Sequence, residues 1–307
     1  SPEGTSDLTF TLAETRPRLD DLPVPPWLYA KDKDGSRFFS LYLLGQFYLM
    51  RWHRFFDFTV STDGGNITCL PLSGVPEDVV HTYLLGRVLS LALHLRGLPN
   101  LHASAVATDQ GAIGFLGRTG QGKTTLAVAC LLQGCKLLTD DVLALKEVST
   151  GYQVLPGAGQ SRLAPDTLEA LSIPDLALPV AEDTPAEDGK VRMWVRDRGL
   201  GTAGAMPLRA LYVLAPPAPH TAEVSITPLP AAVALRELLA HTYNLPYLHG
   251  EVLHRHFTFL GRLVQRVPLY WLAYPKDLRA LPHVCARVID HSNHLPTVAG
   301  VAQEADG

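Results

Sequence analysis

At 307 residues, with 47% hydrophobic and 18% charged side chains, the chain is long enough to bury one large core or two modest ones. A net charge of −4 excludes a general attraction to nucleic acid or to an anionic membrane surface, and Cys69, Cys130, Cys135 and Cys285 show neither a C-x-x-C pair nor metal spacing, so reduced core thiols are expected. The longest apolar run, Leu41 to Met50, is broken by Gly45 and Gln46 and is too short to span a bilayer; with no signal-peptide pattern at the start, a cytoplasmic location is expected.

In chain order, residues 1 to about 30 read as a Pro-stiffened polar leader, with Pro23, Pro25 and Pro26. Arg37 to Leu70 is rich in aromatic and β-branched residues with a turn at Asp63-Gly64-Gly65, which predicts a small antiparallel unit. Pro76-Glu77-Asp78 opens a helix whose apolar positions recur at helical spacing until Gly97. A strand over Leu101 to Ala107 then carries His102 and meets the next strand through a turn at Asp109-Gln110-Gly111.

That next strand leads into the most informative stretch of the chain. Gly117, Gly122, Lys123 and Thr124 stand in the spacing G-x-x-x-x-G-K-[ST], between an apolar run and a helical pattern, which is the context a phosphate-binding loop needs. Gly117, Gly120 and Gly122 permit positive φ and inward-facing N–H groups, so Gly117, Thr119, Gly120, Gln121, Gly122, Lys123, Thr124 and Thr125 form the candidate nucleotide-binding set. Lys123, expected to be an exposed loop lysine, places a charge at the outer phosphates, and Thr124 offers a hydroxyl to Mg²⁺. A helix to about Gln133 closes at Gly134, and a short strand from Cys135 to Thr139 delivers Asp140 and Asp141. Strand alternation sends the two carboxylates to different neighbours, so one can take Mg²⁺ while the other faces an acceptor. His102 either tunes protonation near these groups or is a satisfied core histidine.

Further on, Asp166 to Leu171 reads as a short helix, residues 174–190 as a mobile flap rich in Pro, Ala and acidic residues, and Leu208 to Leu214 and Val224 to Leu229 as strands. Arg162, Lys190, Arg196 and Arg198 are candidates for phosphate or substrate contacts, with a solvated basic loop as the alternative. Helices over Ala231 to His241, Glu251 to Val267 and Leu278 to Ile289, with a strand over Pro268 to Tyr274, complete the pattern; Tyr243 and Tyr247 either line an acceptor pocket or cap the core.

The stretches LHASAV (Leu101 to Val106), GRTGQGKTTL and LLTDDV, together with PLRALYVL and YPKDLRALP, resemble the HPr kinase/phosphorylase-like kinases, whose nucleotide core is similar to that of phosphoenolpyruvate carboxykinase. The resemblance is dense over residues 100–146 and thinner elsewhere. It implies an α/β fold, a phosphate-loop kinase core of mixed sheet with flanking helices, over 99–295; the residue pattern itself predicts a small N-terminal α+β unit over 1–98 before it and a frayed tail over 296–307 after it. It also implies ATP and Mg²⁺ as cofactors, with Asp140 as catalytic base beside His102 and Lys123, and with Thr124 and Asp141 on the metal. The expected acceptor is a Ser or Thr hydroxyl of a peptide or protein, including a biosynthetic precursor peptide, or a small-molecule hydroxyl. Neither nucleic acid nor membrane is expected as a partner, and oligomerisation is left open. The alternative function is a nucleotide-hydrolysing switch or ATPase without a phosphoacceptor.

Overall fold

A computed structural model of the chain describes residues 8–14, 22, 24–171, 189–195, 199–202, 204–216 and 223–296. The architecture is mixed α/β in two compact units, Ser1–Leu98 with Asn244–His256, and Pro99–Tyr243 with Phe257–Gly307. Among the described residues no helix is long and apolar enough to cross a membrane.

In the first unit β1 (Thr9–Leu12), β2 (Leu28–Lys31), β3 (Arg37–Leu44), β4 (Phe47–Trp52), β5 (Phe56–Ser61) and β6 (Asn66–Pro71) form one sheet in the order β1-β6-β5-β4-β3-β2. Strands β2 to β6 are an antiparallel meander, and its last turn depends on Gly64, which has φ 71° and where a Cβ would lie 2.4 Å from the Ala92 carbonyl oxygen. The leader is more than a lead-in, because it supplies both edge strands. Strand β1 pairs parallel with β6 and has all four residues exposed, so no buried periodicity marks it in the sequence. The helical stretch after Pro76 forms as α1 (Glu77–Tyr83), a π turn over Leu84–Val88 and α2 (Leu89–Leu95). In that turn the Arg87 carbonyl accepts from Asn244 Nδ2 at 2.7 Å. Val80, Val88 and Leu91 pack with Met50, Trp52 and Phe58 into the core of this unit. On the other face of the sheet Arg51 and Asp57 stand opposite one another as a buried, bidentate ion pair with a closest approach of 2.7 Å.

The second unit contains β7 (Asn100–Thr108), β8 (Gly111–Leu116), α3 (Lys123–Leu131), β9 (Lys136–Thr139), β10 (Val142–Val148), β11 (Gly151–Val154), β12 (Gln160–Leu163), α4 (Pro165–Ala170), β13 (Val191–Trp194), β14 (Met206–Leu214), β15 (Ser225–Pro228), α5 (Ala231–Ala240), most of α6 (Gly250–Arg266), β16 (Leu269–Ala273) and α7 (Leu281–Asn293). The main sheet runs β11-β10-β7-β8-β14-β16-β15, with β9 against β7, and β12 pairs with β13 as a separate ribbon. Strands β8, β14 and β16 are parallel, so their C-terminal ends share one edge. Both faces of the sheet are buried, as the near-continuous apolar strands AIGFL and LRALYVL require. Ile113, Phe115, Ala210 and Tyr212 pack towards α3 and α7, whereas Ala112, Leu116, Leu208 and Leu211 pack with Leu238 of α5 and Leu260 of α6. The last helix starts later than Leu278, because a 3₁₀ turn over Leu278–Ala280 precedes it and Pro282 occupies its first turn. The flap expected over 174–190 (apart from Gly189 and Lys190) and the tail from 297 lie outside the described residues.

Candidate active site

The loop between β8 and α3 is shaped by its glycines. A Cβ on Gly117 would lie 2.8 Å from Gln121 Oε1 and 3.3 Å from Leu214 Cβ, so a larger residue would displace the Gln121 side chain from the loop. The Arg118 N–H donates to Gln121 Oε1, and the Gln121 N–H donates to the Arg118 carbonyl at 3.1 Å, which folds Thr119 and Gly120 into a tight turn. Gly120 (φ 81°) and Gly122 (φ 94°) both take the left-handed conformation. Gly122 is also the N-cap of α3, and among the described residues no side chain bonds at that cap of the nine-residue helix. Thr124 and Thr125 lie in the first turn of this helix.

Lys123 is buried at 6% exposure rather than exposed as expected, because it is the first residue of α3 and its stem lies under the loop. Its Nζ donates to the Gly117 carbonyl at 2.8 Å and to the Arg118 carbonyl at 3.4 Å, and lies 3.1 Å from His102 Nε2. Burial pulls its pKa below the usual lysine value, with Asp141 and Asp140 opposing the shift and Lys190 adding to it.

His102 sits on β7 directly opposite Val142 of β10, so the chain just before Val142 is brought against its ring. Its Nδ1 lies 3.0 Å from Asp141 Oδ1. Since Lys123 can only donate, His102 Nε2 accepts from it and Nδ1–H donates to Asp141. The other Asp141 oxygen accepts from the Tyr243 hydroxyl at 3.0 Å, and Tyr243 meets the His102 ring edge-on at 4.9 Å between centroids. A continuous run, Lys123–His102–Asp141–Tyr243, results.

Asp140 faces a different set. Ser104 Oγ donates to Oδ1 at 2.5 Å, Thr124 Oγ1 donates to the same oxygen at 3.1 Å, and Ser161 Oγ donates to Oδ2 at 2.6 Å. Thr124 and Asp141 were expected to share a metal, but the hydroxyl of Thr124 meets Asp140 instead. The reason is a backbone kink. Asp141 has φ 72°, β9 ends at Thr139 and β10 begins at Val142, so the doublet occupies a sharp turn and not the end of a regular strand. Gly157 makes room for this turn, since a Cβ there would lie 2.3 Å from Thr139 Oγ1.

These environments push the two carboxyls apart. Burial raises the Asp140 pKa, and Ser104 and Ser161 only partly offset it. Burial acts in the same direction on Asp141, but the hydrogen bonds from His102 and Tyr243 and the charge of Lys123 outweigh it and hold this carboxyl below the ordinary carboxylate range. The side chain of Asp141 remains 48% exposed.

Thr124 and Asp140 fit a magnesium ion in donor type and spacing: two hard oxygens 3.1 Å apart, for a cation that takes one or two protein oxygens and leaves the rest to water and phosphate. Lys190 is close enough to act on Lys123. Arg162 lies on β12 opposite Arg192 of β13, one residue beyond Ser161, so alternation turns it away from the Asp140 face. Arg196 and Arg198 lie outside the described residues. Of the two tyrosines considered for an acceptor pocket, Tyr243 meets Asp141, whereas Tyr247 belongs to the core of the first unit.

Ser104 and Ser161 were not singled out in the sequence. Ser104 had a signal, because it lies two residues after His102 and therefore on the same face of β7. Ser161 had none, being brought in from a separate ribbon.

No family model and no curated protein matches the chain. Among solved structures, the HPr(Ser) kinase/phosphatase from Coxiella burnetii is similar at 14% identity, covering 62% of this chain and 95% of that one, with a TM-score of 0.32.

Proposed function

We propose that the chain is a phosphotransferase that uses ATP and Mg²⁺ to place phosphate on a hydroxyl acceptor. The observation that carries this reading is the hydrogen-bonded run from Lys123 through His102 to Asp141, which ties a phosphate-loop lysine to an accessible carboxylate through one imidazole. The left-handed glycines and the N-terminus of α3, bare of any side-chain cap, suit a polyphosphate, and the Thr124–Asp140 pair suits Mg²⁺. When bound, the nucleotide supplies the phosphoryl group and the metal neutralises its charge.

The residues of the chain would do the rest. Lys123 holds positive charge at the outer phosphates. Asp141, ionised at neutral pH and half exposed, takes the proton of the acceptor hydroxyl, while His102 and Tyr243 fix the direction of its lone pairs. Asp140, its oxygens already engaged by three hydroxyls, orients the metal. These roles are exchanged relative to the expectation of Asp140 as base and Asp141 as metal ligand. Thr119, Gln121 and Thr125 complete the loop, and Lys190, whose charge acts on Lys123, would meet a phosphate there.

The acceptor class we favour, from the motif resemblance, is a Ser or Thr hydroxyl on a peptide or protein, including a biosynthetic precursor peptide. Incubation with ATP, Mg²⁺ and such peptides, or small-molecule hydroxyls, followed by mass spectrometry tests it: the acceptor should gain one phosphate, about 80 Da. Nucleotide consumption that is unaffected by any acceptor would instead establish an ATPase.

A further inference from the structure

The ends of the parallel strands suggest where the rest of the donor lies. Strand β8 runs into the phosphate loop, β14 ends at Leu214 against Gly117, and β16 ends beside Tyr274-Pro275. A Cβ on Gly122 would lie 3.3 Å from the Tyr274 hydroxyl, so Tyr274 reaches across to the loop. The next residue, Pro275, only about 3.8 Å along the chain, lines a cavity of about 420 Å³ together with Glu223, Val224, Ala280, His283 and Arg287. Ligands of open α/β sheets lie at the carboxyl ends of the parallel strands, and a volume of this order is that of a small-molecule site.

From this juxtaposition we infer that the cavity between Pro275, α7 and Glu223 holds the nucleoside portion of the phosphoryl donor. The proposal rests on the reading of residues 117–124 as a phosphate site. Val224, Pro275 and Ala280 offer small apolar walls to the faces of a heterocyclic base. Arg287 and His283, exposed and one helical turn apart on α7, are placed to stack on the base or to meet its ring nitrogens. The Glu223 carboxylate is an acceptor for ribose hydroxyls or an exocyclic amine. Tyr274, between cavity and loop, is the donor nearest the phosphates on that path. The site thus distinguishes a nucleoside triphosphate from an inorganic polyphosphate, which the loop alone would not.

The test is isothermal titration calorimetry of the full chain with Mg²⁺, using ATP and inorganic tripolyphosphate as separate ligands, on the wild type and on Ala280→Phe, Arg287→Ala and Lys123→Ala. Filling the cavity with Ala280→Phe should weaken ATP at least about 10-fold and leave tripolyphosphate unchanged. Arg287→Ala, at an exposed helix position that does not threaten folding, should weaken ATP alone by about 3-fold or more. Unchanged ATP affinity in both variants, with both ligands lost in Lys123→Ala, would leave the loop reading standing and overturn the cavity. Retention of both ligands by Lys123→Ala would overturn the loop reading and this inference with it. Should Ala280→Phe fail to fold, the Arg287→Ala result decides alone.

Discussion

Adjacent carboxylates with different surroundings are central to the proposed chemistry at the residue scale. Asp140 accepts from three hydroxyls and Asp141 from an imidazole and a phenol, and this difference separates their effects on mutation. Asp141→Asn should lower kcat by about 10²-fold or more, the usual loss of a general base, while Mg²⁺-dependent nucleotide affinity changes little. Asp140→Asn should chiefly raise the Mg²⁺ concentration needed for half-maximal activity, which a metal titration reads directly. The opposite pattern would restore the roles expected from the sequence. The doublet itself was legible from its distance to the loop. The neighbours of each carboxylate were not, because strand alternation presumes extended backbone and Asp141 at φ 72° is left-handed. Position 123 shows a similar limit, in that the motif gives the chemistry of lysine but not its burial.

The glycine-rich loop over residues 117–122 and the helix after it make the clearest case at the scale of elements. Their spacing was readable because the turn needs left-handed backbone at Gly120 and Gly122, which glycine adopts without strain. Gly122→Ala puts a Cβ on a left-handed residue and within 3.3 Å of the Tyr274 hydroxyl. It should cost about 1–2 kcal/mol in chemical denaturation and weaken nucleotide binding together with it. A loss of binding without loss of stability would place the glycine's role at the ligand alone. Less was readable where an element is defined by its partners. The ribbon of β12 and β13 brings Ser161 to Asp140 across 21 residues of sequence, and β1 pairs through its backbone with no side chain buried. The π turn in the α1–α2 stretch was hidden for a related reason: apolar spacing reports which face is buried and not the winding between turns.

At the scale of the whole molecule, the first unit has its own aromatic core and contains the buried Arg51–Asp57 ion pair. Asp57→Ala removes the carboxylate paired with the buried Arg51 guanidinium and should destabilise that unit by about 3–5 kcal/mol, whereas Arg51→Met with Asp57→Leu should come close to the wild type. Denaturation followed by Trp52 fluorescence distinguishes the two. His256, buried edge-on against His94, has its pKa pulled down to about 4 from 6.5 by burial. The folded chain therefore keeps it neutral where the unfolded chain takes up a proton, so its contribution is complete above pH 6.5 and is lost as pH falls towards 4. The limit of that loss is on the order of 3 kcal/mol, and His256→Phe should show a correspondingly flatter decline in melting temperature between these pH values. For the proposed phosphoryl transfer, single-turnover assays with ATP, Mg²⁺ and a phosphorylatable hydroxyl acceptor are the most direct measurement. Wild-type protein should move phosphate to the acceptor in one turnover, and Asp141→Asn should bind the same nucleotide yet transfer it about 10²-fold more slowly. Transfer at the wild-type rate by Asp141→Asn, or nucleotide loss in the wild type that no acceptor changes, would contradict the mechanism.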